Sequence, residues 1–474
     1  MNIPTISKSS FIRGSKCPKS LWLHFNQPNE RDEISKSQQQ IFDTGHSVGS
    51  LAQQRYPGGI DASRGEPWKI QEAVAYTQEL IRNGQEVIYE AAFLAPGPTP
   101  ISEFVSAEYS GSQGDLLCYM DILVKEKDGW VAYEVKASTS VKEYHLLDVA
   151  FQDLVINGSG LPLKRISLMH LNNQYVRRGD LHLEQLFTIA TMTETVMDKQ
   201  QEILELLVPL QEMFLLGEMP SIEMGGHCYK PFNCDFLDFC AQNTQEQQKE
   251  TEGRPANRDQ AALDQFLDEL EYPLYFMDFE TIQFAVPQYD ESRPYQQIPF
   301  QYSLHVGQVR QVDQVRQLDH YEYLGTPPVD PRREFIETLL ERLGSYGSII
   351  VWNKTFEMSR LREIARDFPE YASRIEPLFD RVADLMAPFR KKHLYLPEMN
   401  GSYSLKAVLP VIVPELSYKE LGIQEGGSAS MAYEQLYHEE IPETISQTRR
   451  DLLDYCKMDT LAMVEILNTI KSIT

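Results

Sequence analysis

Between Ala241 and Gln260 the chain reads AQNTQEQQKETEGRPANRDQ, a stretch almost devoid of apolar side chains. So polar a segment cannot run through a hydrophobic core, so the 474 residues are expected to fold as two bodies and not as one. The reading is a first domain over 1–245, a linker over 246–262 and a second domain over 263–474. Each flank is long enough to bury a core of its own.

Apolar residues make up 42% of the chain and charged residues 24%, the balance of an ordinary globular protein and not of a disordered one. No run approaches a membrane span, and the amino terminus MNIPTISKSSFIRGSKC lacks the apolar core of a signal peptide, so a cytoplasmic protein without membrane partners is expected. Sixty-nine acids against 44 bases leave a net charge of −25. That excludes a basic nucleic-acid-coating protein, but not an enzyme that meets phosphates through carboxylate-held cations. Strand-like runs (EVIYEAAF, GWVAYEVKA, LYFMDFET, GSIIVW) alternate with helical periodicity, as over Leu181 to Phe214, so both halves read as α/β.

In MDILVKEKDGWVAYEVKAST, Asp128-Gly129 is a two-residue hairpin signal between two strands. Counted outward from that turn, Lys127 faces Trp130, Leu123 faces Glu134 and Asp121 faces Lys136, so Asp121, Glu134 and Lys136 share one face. Two carboxylates there can hold Mg²⁺ or Mn²⁺ beside a phosphate, while the lysine orients water and offsets charge. The pattern D-x12-E-V-K, with Gln152 downstream in DVAFQ, resembles the PD-(D/E)xK nuclease core. The resemblance implies a restriction-endonuclease-like fold in which Asp121 and Glu134 bind metal, Lys136 is catalytic and Gln152 supports the site. Glu90 matches a further acidic position loosely, His46 stands off the position of an early metal-binding histidine, and Ile156 replaces the tyrosine of a Q-x-x-x-Y motif.

Cys228, Cys234 and Cys240 follow a C-x5-C-x5-C spacing, and Cys17 stands alone near the start. Four thiolates can hold zinc or a 4Fe-4S cluster, and the absence of close C-x2–4-C pairs leans toward iron–sulfur. One cysteine before the nuclease core and three after it resembles the iron–sulfur RecB-like nucleases. That likeness implies a cluster clasping the ends of the first domain, with Cys118 and Cys456 left as packing residues.

In the second half, a strand delivers Asp278 and Glu280 to one face, Glu357 lies in the first turn of a helix that Thr355 is expected to cap, and Tyr455 and Asp459 stand four apart on a terminal helix. This D-x-E, N-x-x-F-acid, Y-x-x-x-D order resembles the DEDDy branch of DnaQ-like exonucleases, whose fold is ribonuclease H-like. The resemblance implies that Asp278, Glu280, Glu357 and Asp459 hold two divalent metals about 4 Å apart while Tyr455 orients water. The second motif ends in Glu357 where that branch has Asp, and Asp384 is a second candidate for that acid. Ser402 or Ser404 reads as a helix cap, and Arg293, Tyr403 and Lys406 as phosphate or base contacts or as packing. The expectation is a metal-dependent nuclease acting on DNA in preference to RNA. The rivals are a nucleic-acid-binding adaptor with degenerate sites, a ribonuclease, or a zinc-stabilised hydrolase of another phosphate ester.

Overall fold

The computed structural model describes residues 3–65, 69–98, 114–243, 256–308 and 317–473. The chain divides into two compact units, Met1–Gln247 and Gln248–Thr474. Part of the proposed linker, 246–262, lies outside the described residues, but its end does not. Strand β8 (Asn257–Arg258) and a helix over Gln260–Asp268 already belong to the second unit. Asp259 caps that helix by accepting from Ala262 N at 3.1 Å. Polar side chains that satisfy backbone groups read, by composition, as linker.

The first unit is built on one mixed sheet of β1 (Ile6–Ser7), β2 (Ile60–Asp61), β3 (Val87–Pro96), β4 (Asp115–Glu126), β5 (Gly129–Lys136), β6 (Leu163–Leu171) and β7 (Phe187–Thr191). Its order is β2-β3-β4-β5-β6-β7, with β1 added parallel to β4. Strands β3, β4 and β5 form an antiparallel meander, and the Glu143–Gly158 helix carries the chain from β5 to a parallel β6. That helix buries Val149, Phe151 and Val155, and Phe151 stacks on Phe11 at 4.8 Å.

The hairpin register differs from the expected one. The turn is Lys127-Asp128, Gly129 pairs with Glu126, and Leu123 faces Ala132 instead of Glu134. The slip is two residues, and because side chains alternate with a period of two it leaves every one on its expected face. The periodic stretch Leu181–Phe214 is not one helix either: β7 interrupts it between helices Leu183–Leu186 and Thr193–Leu216. Ser167 to Leu171 of β6 recruit Phe187–Thr191 as an antiparallel neighbour, a tertiary demand that periodicity does not reveal.

The second unit carries a five-stranded sheet of β9 (Leu274–Gln283), β10 (Gln297–Gln308), β11 (Gln317–Leu324), β12 (Ile349–Val351) and β13 (Val382–Asp384), with β14 (Leu394–Tyr395) pairing β8. The order is β11-β10-β9-β12-β13; β10 runs antiparallel to both neighbours, while β12 is parallel to β9 and β13 to β12. Both faces of β9 are covered. Met277 and Phe279 pack with Tyr302 and Phe335, whereas Phe276 packs with Met463 of the Pro442–Ile473 helix. Asp278 and Glu280 share the face of Phe276 and so point toward that helix.

Candidate functional site

The hairpin and its crossover helix assemble the first cluster. Val135 N donates across the hairpin to Asp121 Oδ2 at 2.6 Å. Glu134, 1% exposed, accepts from Lys136 Nζ at 2.7 Å and from Gln152 Nε2 at 2.8 Å, so all four expected residues come together. Two residues not foreseen complete the cluster. Asp148, one helical turn before Gln152, accepts from Lys136 Nζ and from Gln152 Nε2. Lys8 Nζ, from the first helix, donates to Glu134 Oε1 at 2.8 Å. Asp148 was legible in the four-residue spacing of D-V-A-F-Q; nothing in the sequence ties Lys8 to a strand more than a hundred residues on.

Burial would raise Glu134, but the charges of Lys136 and Lys8 overcome it and hold the carboxyl well below its usual range. Asp121, farther from those ammonium groups, is pushed well up by burial and by Glu134. Glu90 stands in a left-handed backbone conformation (φ 48°), and burial lifts it to about 7 while the Lys8 charge opposes the shift. Gln152 Oε1 is buried without a hydrogen-bond partner. His46 is exposed on the Lys36–Gln54 helix and takes no part in these contacts.

The cysteines converge as well. Cys17 is the N-cap residue of the Pro18–Asn26 helix, without a side-chain capping bond. Burial raises the Cys17 thiol, and Cys234 and Cys228 add to the shift; burial likewise raises Cys240, which feels Cys234, Cys17 and Cys228. Asp235 locks the cysteine segment to the amino-terminal helices, accepting from Arg13 Nη2 at 2.9 Å and pairing with Arg31 Nε at 3.0 Å. Cys118 is a core residue on β4.

In the second unit, Asp278, Glu280 and Asp459 each offer one carboxylate oxygen, and these oxygens lie within 4.8 Å of one another. The first two come from β9 and the third from the Pro442–Ile473 helix. Burial pushes Asp278 and Glu280 well above the usual carboxylate range, with Asp459 adding to both, and lifts Asp459 to about 6. Tyr418, which the sequence gave no reason to select, donates to Asp459 Oδ1 at 2.5 Å. Lys406 Nζ donates to Tyr455 Oη at 3.0 Å, and burial and Asp459 raise that hydroxyl far above its usual value. Cys456 is more than packing, since its sulfur lies 3.8 Å from Asp278 Oδ2.

Glu357 stands outside the close triad, although its charge acts on Asp278. Its Oε2 is buried and unpartnered, and burial, followed by Asp384, raises it to about 8. The helix cap before it is Asn353, whose side chain accepts from Phe356 N at 3.4 Å; Thr355 sits inside the first turn. Ser404 caps the Leu405–Ile412 helix. Arg293 donates to Asp367 at 2.9 Å, an ion pair within the unit.

The Glu357 shift has a defined sign. The folded state keeps a proton that the unfolded state releases above the ordinary value of 4.5, so this contribution is full below that value and is lost as pH rises to about 8. Glu357→Gln is expected to melt with the wild type near about pH 5 and above it beyond about pH 8, measured by circular dichroism without divalent ions. A wild-type advantage at the higher pH would contradict the shift.

Fold and geometry together define an α/β protein of two units, each with a buried carboxylate cluster beside a lysine. Residues 275–404 match the family model described as Domain of unknown function (DUF2779). The chain is similar to uncharacterized protein UU173 of Ureaplasma parvum serovar 3, 29% identical over 236 residues, covering 45% of this chain and 33% of that protein. The uncharacterized MG366 homolog of Mycoplasma pneumoniae is 30% identical over 211 residues, covering 41% and 32%. The match therefore spans well under two thirds of the length of these relatives. The solved structure of SSO0001 aligns over 52% of this chain and 90% of its own, at TM-score 0.23 and 12% identity.

Proposed function

We propose that this chain is a metal-dependent nuclease that hydrolyses phosphodiester bonds in DNA, with one active site in each unit. The observation that carries the reading is the triad of Asp278, Glu280 and Asp459: three carboxylates within 4.8 Å, two of them buried and Asp278 half-buried. Their mutual repulsion is relieved by protons or by a cation. Oxygen-only donors at that spacing suit Mg²⁺ or Mn²⁺, and the unpartnered Glu357 Oε2 is a fourth oxygen on hand. In the first unit Asp121 and Glu134 are the corresponding ligands, with Gln152 Oε1 unpartnered beside them. These donor sets fit the proposed ions.

A divalent cation, when bound, polarises the phosphate and lowers the pKa of a coordinated water. The chain supplies the rest. Lys136, raised by Asp148 and Glu134 against the opposing effect of burial, keeps its proton and donates toward a phosphate oxygen or the attacking water. Tyr455 also keeps its proton, and its hydroxyl, which takes Lys406 on its oxygen and reaches Asp459, is placed to orient water beside the carboxylates. Nuclease assays with Mg²⁺ and with Mn²⁺ on single- and double-stranded DNA and RNA test the reading. Binding of single strands without cleavage would favour the adaptor instead.

Cys17, Cys228, Cys234 and Cys240 are proposed to hold a 4Fe-4S cluster that clasps the first unit. Their charges act on one another, and none of the four stands in the C-x2–4-C spacing usual for structural zinc. Burial raises the Cys17 thiol, and the backbone N–H groups of Ser20 and Lys19 at the helix start oppose that shift. Anaerobic preparations are expected to be brown, with roughly four irons per chain. Cys234→Ser should lose the iron and lower the melting of the first unit. Stoichiometric zinc without iron or sulfide would contradict the assignment.

A further inference from the structure

Two lysines meet one carboxylate oxygen in the first unit. Glu134 Oε1 takes Lys136 Nζ at 2.7 Å and Lys8 Nζ at 2.8 Å, and Lys8 Nζ also stands 3.9 Å from Asp148 Oδ1. Lys136 belongs to the strand that carries Glu134, so backbone pairing holds it there. Lys8 arrives from elsewhere, on a mount that is itself fixed: β1 pairs with β4 through Ile6 and Ser7, Ser7 Oγ accepts from Ser10 N at 3.2 Å, and Ile6 and Phe11 are fully buried. Its side chain is 25% exposed, so part of its stem meets solvent while the ammonium group lies on the cluster.

Charge explains why a second lysine stands here. Lys136 pairs with Glu134 and Asp148, while Asp121 and Glu90 feel the charge of Lys8. Lys8 balances one more of the four, and although burial opposes its charge, Asp148, Glu134 and Asp121 keep it protonated. A divalent cation held by Asp121 and Glu134 would supply the same balance and would repel an ammonium group on a shared ligand oxygen. Lys136 is clamped between Glu134 and Asp148, whereas Lys8 pairs closely with Glu134 alone and stands 3.9 Å from Asp148, so its flexible stem is the freer of the two to swing away.

We propose that Lys8 is a resident counter-cation of the first carboxylate cluster: it stabilises the cluster without metal, withdraws when a divalent cation binds, and so raises the metal concentration at which the site loads. This rests on the reading of Asp121 and Glu134 as metal ligands. Lys8 is thus a positioning residue that acts through Glu134.

The test is calorimetric titration of the full chain with Mn²⁺ in an Asp459→Asn background, which removes a ligand of the other site. Lys8→Ala is expected to bind Mn²⁺ at least about tenfold more tightly than its parent, because a unit charge beside the ligands is gone. Lys8→Arg, which keeps the charge, should bind like the parent. Without metal, Lys8→Ala should melt below the parent, and Mn²⁺ should raise its melting by more. If Lys8→Ala does not fold without metal, Lys8→Gln serves in the same comparison. Unchanged or weaker Mn²⁺ binding in a folded variant overturns the proposal, and so does lost cleavage at unchanged affinity, the mark of a catalytic lysine. A parent that binds no Mn²⁺ in the first unit overturns the metal reading as well, whereas binding indifferent to Lys8 overturns the counter-cation role alone.

Discussion

Lys136→Ala and Asp121→Ala are each expected to lower the cleavage activity of the first unit by about 10³-fold while leaving its fold and its cysteine cluster in place. The two side chains act on the same few atoms. Asp121 is held toward the cluster by Val135 N, and Lys136 is clamped between Glu134 and Asp148. Removing the aspartate takes away a ligand; removing the lysine leaves Glu134 with Lys8 as its remaining ammonium partner and strips the site of its best-placed donor. Neither side chain belongs to the hydrophobic core of this unit, so both variants should keep the fold, although Lys136→Ala, which takes a counter-charge from Glu134 and Asp148, should melt below wild type. The measurement belongs in an Asp459→Asn background, so that the second site does not mask the effect. Cleavage at the parental rate by both variants would remove the assignment of this cluster.

In the second unit, Asp459→Asn is expected to abolish a stepwise, end-dependent activity that survives Asp121→Ala. Asp459 is the hub: it completes the triad with Asp278 and Glu280, and Tyr418 donates to it. An amide there keeps the shape and gives up a charged ligand, a loss of about 10³-fold or more when chemistry depends on the cation. Tyr455→Phe should cost less, about 10²-fold, because the hydroxyl orients water while the acids remain. Glu357→Asp is informative in either direction. A faster enzyme would indicate a site detuned by one methylene, and a slower one a backbone built around the longer acid, whose Oε2 now stands unpartnered.

Period-two logic survived an error in the turn. The hairpin turns one residue earlier than Asp128-Gly129 suggested, which shifts the cross-strand register by two, yet Asp121, Glu134 and Lys136 still share a face, because a slip of two preserves what a slip of one would invert. The acids of β9 were legible for the same reason, as was the Tyr455–Asp459 pair, four apart on a helix. What escaped came from long range. Lys8 enters from a helix placed by β1 pairing with β4, and Tyr418 from the chain between two helices; neither carries a local pattern that points to its cluster. The interruption of Leu181–Phe214 by an edge strand has the same origin, since β6 and not the segment itself decides it. Asn353 took the cap expected of Thr355 because an Asn side chain two positions earlier reaches the same free N–H groups.

The most direct measurement is degradation of end-labelled single- and double-stranded DNA, with Mg²⁺ or Mn²⁺, by the wild type, Asp121→Ala, Asp459→Asn and the double variant. Two independent carboxylate sites predict that each single variant retains one activity, that the two differ in products, and that the double variant is inert though folded. A double variant that cleaves as the wild type does, or a wild type that cleaves no DNA with either ion, would contradict the account.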